Sequence, residues 1–491
     1  MVAPLRGLGC GRQSTPSLFQ RLQNINSPEK AQRIEEAMMK HLTTLRAAYR
    51  NIRAALPWLD CYVSDLPPSF EGAPTTPPTE SVALDFTSSV PRLLRQTEHS
   101  FEEIAQLARE NPQLPYIIVS GTQKLLYHIA PLTELLKTHP NLYLATANFC
   151  NDFALERLIA EGVAKKLLYG SMMPYLDAGN TLGMIALGKF DWKTKCDIAG
   201  NNFRRLLGLP EVIVPEVTMP EIPPFIVDAH THTIHPETES RFPAPNAEPS
   251  WSTWKKKMHS VWVEDFYSTP SETNRDVTKN PARVVLGELC CESRGHARYF
   301  EVFDPNSVEG SLRELEKSLA DPFCIGIKIH PVSHHVYASD PRYEQAFKLA
   351  ERFHKTIMTH SWGLSDYNPN QRFGTPAQFA PMLEKYPQVT FVFGHTGGRP
   401  NGFIEAVEMC QRFPQTYGDL AGDFFHNGFL EHAVSKIGAK HIIFGSDSYW
   451  IDVRCMLGML LESKCTDEVL WDIVRNNAIK AYHPETIASI T

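Results

Sequence analysis

The 491-residue chain has no basic surplus: 48 Lys and Arg stand against 55 Asp and Glu, for a net charge of −7. A nucleic-acid surface is expected to be basic, so that class of partner starts behind and none is expected. No run approaches the roughly 18 consecutive apolar residues of a membrane-spanning helix, so no membrane partner is expected. Ten cysteines are scattered without a repeated C-x-x-C pair. With no signal peptide to promise an oxidising compartment, they read as reduced thiols. No acid precedes Glu29, while Arg6, Arg12 and Arg21 do. That composition faintly suggests an organelle presequence, but Pro and Gly break the stretch, and a cytoplasmic location is the expectation.

What is present is ordinary globular composition, with 43% hydrophobic and 21% charged residues, and an unusual 37 prolines against 28 glycines. The length allows two or three domains. Residues 28–56 read as one long helix packed on its own domain: Ser27 caps it, Pro28 suits its first turn, and apolar residues step by three and four. A Pro-rich connection covers 66–80. Helix and strand patterns then alternate at 100–111, 115–120, 129–138 and 141–147. A second Pro-rich stretch, Pro210 to Pro224, marks the boundary between a first domain, 1–220, and a second, 221–491.

Beyond that boundary the pattern is regular. Short apolar strands are expected at 225–229, 324–329, 356–359, 389–394 and 441–445, with helices at 341–354, 402–412 and 428–436. The 271 residues of 221–491 match the size of one eight-stranded β/α barrel. Residues 240–300 look irregular and carry three tryptophans, so a lid over the site is expected there.

The strongest chemical signal is His230-Thr231-His232 directly after the first apolar strand. In extended backbone, residues i and i+2 share a face, so both imidazoles can address one ion. His360, His395 and Asp447 end later strands, and barrel sites gather at the carboxyl ends of strands. Three imidazoles and a carboxylate suit zinc, manganese or iron. Lys328 and His330 alternate on one strand and can both enter the barrel mouth. Gly397 and Gly398 leave the pocket floor beside His395 unobstructed, and Trp362, Arg399, His334 and His335 are rim candidates.

As a set, His230-x-His232, Gly326-Ile-Lys328-Ile-His330-Pro331, His360, Gly394-His395-x-Gly397-Gly398 and Gly445-Ser446-Asp447 resemble the amidohydrolase superfamily. The closer similarity is to the amidohydrolase-related branch that includes aminocarboxymuconate-semialdehyde decarboxylase, and it spans 225–482. The resemblance implies an α/β fold, a distorted (β/α)8 barrel of the TIM type with one divalent ion, zinc first. It implies His230, His232, His360 and Asp447 as metal ligands, and His395 and Asp447 as catalytic groups. Lys328, His330, Trp362 and Arg399 are then the substrate-binding candidates, and a small carboxylic-acid-type molecule is the substrate. A metal-dependent hydrolase is the leading expectation: water activated by the metal attacks an amide, ester or lactone. A non-oxidative decarboxylase of an aromatic or muconate-type acid is the alternative, and a non-catalytic scaffold the second.

The first half contains an echo of the second. From 149 to 202, 16 of 54 residues are identical to the residue 275 further on, Gly170 with Gly445 among them. Met172 then stands for Asp447, Gly121 falls at His395, and no His-x-His precedes residue 230. Asp60-Cys61-Tyr62-Val63-Ser64 is a possible relic of Asp228-Ala229-His230-Thr231-His232, carried by one aspartate alone. The first domain is therefore expected to be a degenerate, metal-less partial copy of the barrel, with the chain forming an internal pseudo-dimer or a homodimer.

Overall fold

The computed structural model describes residues 28–82, 92–95, 99–120, 129–233, 251–270, 281–366 and 368–483. Within them lie two parallel sheets. The first has four strands in sequence order: β1 (Arg92–Arg95), β2 (Tyr116–Val119), β3 (Leu142–Ala145) and β4 (Leu167–Leu168). The second has eight: β5 (Ile226–Thr233), β6 (Val263–Pro270), β7 (Ala297–Phe303), β8 (Cys324–Ile329), β9 (Thr356–His360), β10 (Phe391–Gly394), β11 (Thr416–Asp419) and β12 (Ile442–Ile443). Parallel neighbours cannot be joined by a hairpin, so helices cross over between them.

The eight strands form a TIM-type barrel whose seam is sewn by side chains as well as backbone. Ala229 N donates to Phe444 O at 3.0 Å and His232 N to Ser448 O at 2.5 Å. Asp228 Oδ2 accepts from Ser446 Oγ at 2.5 Å, and its Oδ1 from Ser446 N at 3.0 Å. Val227, Ala229, Tyr267, Phe300, Met358, Val392 and Ile443 pack as one buried interior cluster, and Ala478, Ala481 and Tyr482 join it. That filling makes the barrel a core with a mouth, not a pore.

Residues 240–300 depart from expectation. Their described part is regular: helices Trp251–Ser260 and Pro281–Ser293 precede β6 and β7 respectively. The polar residues of β6 disguised it as a loop, yet the strand is buried throughout. Glu264 meets Arg475 at 3.0 Å and Asp265 meets His296 at 2.6 Å, so the burial is compensated. Trp251 and Trp254 stack on Phe266 instead of forming a lid. Residues 240–250 and 271–280 lie outside the described residues.

The long helix Pro28–Ala55 packs on the end of the barrel domain, not on its own half alone. Leu42, Leu45, Tyr49 and Ile52 are buried, and Arg46 Nη1 reaches Cys465 O at 2.8 Å and Asp467 Oδ1 at 2.7 Å. Residues 1–27, which bear the faint presequence-like composition, lie outside the described residues. No described helix is long and apolar enough to cross a membrane.

Several hydrogen bonds at the strand ends of the two sheets match in pattern. Met172 N donates to Tyr62 O at 2.8 Å as Asp447 N does to His230 O at 2.9 Å. Ser64 N donates to Met173 O at 2.7 Å as His232 N does to Ser448 O. Asp60 accepts from Ser171 N at 3.1 Å, the counterpart of Asp228 with Ser446. Tyr116 pairs with Leu142 as Phe391 pairs with Thr416, which puts Ser120, not Gly121, opposite His395. Ser120 Oγ indeed donates to Ala147 O at 2.9 Å, as His395 Nδ1 does to Ala421 O at 3.1 Å. Tyr62 and Met172, at the places of His230 and Asp447, sit in an apolar cluster with Leu59, Val119 and Phe203.

Candidate active site

Each polar residue at the barrel mouth is delivered by the end of a strand. β5 carries His230 and His232, β8 Lys328, β9 His360, and β11 Asp419; His395 follows β10 and Asp447 follows β12. His395 and Asp447 adopt φ values of +65° and +63°, a region that L side chains avoid and that the surrounding bonds must impose. One ligand atom from each of His230, His395 and Asp447 lies within 4.8 Å of the others. His232 Nε2 is 2.9 Å from Asp447 Oδ1. The His360 ring is centred 4.7 Å from that of His395, and its Nε2 faces Gln371 Oε1 at 3.1 Å.

Hydrogen bonds fix which nitrogen faces the centre. His230 Nδ1 donates to Asp419 Oδ2 at 2.8 Å, and His395 Nδ1 to Ala421 O, which leaves both Nε2 lone pairs turned inward. Burial pushes the pKa of His230 and His360 well below the usual imidazole value, and that of His395 down to about 3. Burial alone would raise Asp447, but the imidazoles of His232, His395 and His230 outweigh it and hold the carboxyl well below its ordinary range. Unprotonated His230, His360 and His395 are in the state in which an imidazole can bind a divalent ion. His232 reaches Asp447 through Nε2, so with His230 and His395 it sets imidazole nitrogens beside one carboxylate. The donor set fits one divalent ion.

The remaining candidates divide. Lys328 is buried, with Nζ 3.3 Å from His230 Nε2, and burial lowers its pKa to about 8. Trp362 meets His395 edge-on at 5.5 Å and lies parallel to His360, which in turn stacks on His330 at 4.3 Å. His330 also caps the short helix Pro331–His334 through Ser333 N. Arg399 is half-buried at the start of the helix Pro400–Arg412. His334 bonds Tyr343 at 3.2 Å, so it serves packing. A Cβ on Gly398 would strike the Trp362 ring at 2.3 Å, and one on Gly397 would strike Gly402 O at 2.0 Å, so these glycines admit close packing beside His395. Asp419 and Gln371 were not among the candidates, since each is one polar residue without a spaced partner. An acid at the end of a barrel strand was the available signal.

The family model described as Amidohydrolase matches residues 227–483, just over half of the chain. The chain belongs to the amidohydrolase family. A search of curated proteins gives no match. Solved structures that this amidohydrolase is similar to include 2,6-dihydroxybenzoate decarboxylase from Rhizobium (TM-score 0.43, 16% identity, 53% of this chain and 99% of that one). Another is 5-carboxyvanillate decarboxylase from Sphingomonas paucimobilis (TM-score 0.41, 12% identity, 53% and 99%). A third is a dihydroxybenzoic acid decarboxylase from Polaromonas sp. JS666 with bound manganese (TM-score 0.42, 16% identity, 53% and 97%).

Proposed function

We propose that this amidohydrolase is a metal-dependent, non-oxidative decarboxylase of a small aromatic or unsaturated carboxylic acid. The observation that carries the reading is the buried Lys328 side chain beside His230, with the Trp362 ring edge-on to His395 and Phe424 packed on Trp362. A carboxylate drawn into so dry a pocket loses its hydration, and fixed cationic groups take the place of the water. A flat, unsaturated acid suits the aromatic walls. This order reverses the one suggested by the sequence, where hydrolysis came first.

His230, His232, His360 and Asp447 would hold the ion, zinc by the character of the donors. When bound, the ion supplies a fixed positive charge that orients the substrate's oxygens and stabilises charge developing on them. Lys328, whose Nζ lies 3.3 Å from His230 Nε2, would pair with the substrate carboxylate. The C–C bond to the carboxylate breaks, carbon dioxide leaves, and the carbon left behind takes a proton. That proton comes from solvent water: His395 presents an unprotonated Nε2 at the centre, which would accept a proton from water and pass it to the carbon, leaving hydroxide to be neutralised by solvent.

Hydrolysis of an amide, ester or lactone is the second reading, supported by the description of the family model. It would use the same ligands. The test is a panel of hydroxybenzoates and unsaturated acids, with carbon dioxide release and solvent deuterium in the product both followed. Release of carbon dioxide with one deuterium incorporated supports decarboxylation. Turnover confined to amide, ester or lactone probes overturns it.

The matched bonds at Tyr62, Ser120 and Met172 support a further part of this reading. Residues 1–220 would form a degenerate, metal-less partial copy of the barrel, packed as an internal partner for 221–491.

A further inference from the structure

The two halves meet through matched contacts. Asp452 N donates to Cys150 O at 2.8 Å, and Asp177 N to Phe425 O at 2.8 Å. Asn151 bridges Ile451 as Leu176 bridges His426, both antiparallel. Gly183 and Gly458 touch: a Cβ on either would lie 2.7 Å from the Cα of the other. Even the two acids Glu156 and Glu431 repeat, accepting from Lys189 N at 2.9 Å and Lys464 N at 3.1 Å.

One feature has no counterpart. Arg454 is fully buried, whereas Gly179 stands at the equivalent place. Its guanidinium bridges the halves: Nη1 and Nη2 hold both oxygens of Glu156, Nη2 at 2.9 Å, and Nε holds Asp452 Oδ1 at 2.8 Å. Phe153 N adds a bond to Asp452 Oδ2 at 3.0 Å. Asp452 ends the turn that Asp447 begins, in which Trp450 N and Ile451 N donate to Asp447 O at 2.9 and 3.2 Å. The first half therefore grips the far end of a turn whose near end is the unfavourable φ of Asp447.

We propose that Glu156, on the half without the site, is a positioning residue that sets Asp447 through Arg454 and Asp452. The inference rests on Asp447 being a metal ligand, as in the proposed function. Removing the Glu156 charge frees Arg454 to pull on Asp452 alone, and the turn relaxes away from the ligand geometry. Groups that orient a ligand from behind act on metal affinity by about 10–100-fold.

The experiment uses the full-length chain, stripped by chelator and titrated with cobalt(II), reading affinity and the d–d absorption spectrum. Glu156→Gln is expected to weaken cobalt binding by about tenfold and alter the spectrum, with Glu156→Asp recovering part of both. Arg454→Lys, which lacks the planar fork that holds both Glu156 oxygens while Nε holds Asp452, should act as Glu156→Gln does. Glu431→Gln loses the same backbone contact on the other half and should bind cobalt as the unsubstituted chain does. Unchanged affinity and spectrum in Glu156→Gln and Arg454→Lys would overturn the inference, as would an equal loss in Glu431→Gln. No cobalt bound by the unsubstituted chain would remove the metal reading itself and this inference with it. Neither outcome depends on whether the reaction is decarboxylation.

Discussion

Asp419 Oδ2 accepts the Nδ1 proton of His230 at 2.8 Å, while its other oxygen takes the backbone N–H of His395 at 2.7 Å. One buried carboxyl thus orients the His230 imidazole and anchors the backbone of His395. Burial raises its own pKa to about 6, so it is charged at neutral pH, where it is most useful as an acceptor.

Asp419→Asn keeps the shape but can no longer accept in both places as a charged group. Metal affinity is expected to fall by about 10–100-fold, with the fold retained. Calorimetric titration of stripped protein checks this. An unchanged affinity would show that His230 needs no such orientation.

The ligand roles separate by substitution. His230→Ala and Asp447→Asn should lose the ion, measured as metal content after dialysis. His395→Ala should keep it and lose turnover by about 10²–10⁴-fold, the range of a missing proton-transfer group. Loss of the ion in His395→Ala would move that residue into the ligand set, as its closeness to His230 and Asp447 allows.

Met172→Asp should gain no metal, because Tyr62, Ser64 and Ser120 stand where the barrel has its imidazoles. The new carboxyl would be unpaired in an apolar cluster and should destabilise the protein by about 3 kcal/mol or more. Chemical denaturation and metal analysis on one sample decide both points.

Gly458→Val tests the contact between the halves. Its Cβ would lie 2.1 Å from Gly179 O, so the helices Gly179–Ala186 and Val453–Glu462 must separate. A loss of about 1–3 kcal/mol or more is expected. A melting temperature equal to that of the unsubstituted chain would argue against tight packing there.

His426 should confer acid sensitivity. It is buried against Tyr175 and Ser69, and burial lowers its pKa to about 3. An unfolded chain takes up this proton near pH 6.5, whereas the native chain does so only near 3. Its contribution is thus complete above about pH 6.5 and is lost as the pH falls through that window, by up to about 1.4 kcal/mol per unit. His426→Gln should lose less stability between pH 7 and 5 than the unsubstituted chain, measured by urea midpoints. An equal loss would assign the effect to other groups.

Much of the barrel was legible because parallel strands buried on both faces read as short apolar runs. β8, β9 and β10 lie within a residue or two of their expected places. β6, β7 and β11 were not legible, since Glu264, Asp265, Arg298, Glu301 and Asp419 break the apolar pattern. Arg475, His296 and His230, the partners of Glu264, Asp265 and Asp419, lie far away in sequence. The relic at Asp60 rested on one aspartate in the sequence; backbone bonds, which carry no side-chain signature, connect it to Ser171 and Met172.

The sequence by itself determined the chemistry available at the strand ends, because His230, His232, His360, His395 and Asp447 each follow an apolar run that must be a buried strand. Tertiary structure alone decided which nitrogen faces the centre, which carboxyl supports which ring, and which half grips the Asp447 turn. Those choices depend on hydrogen bonds such as that from His230 to Asp419 and on the Arg454 bridge to Glu156, between residues 189 and 298 positions apart. No local pattern along the chain records a contact over such distances.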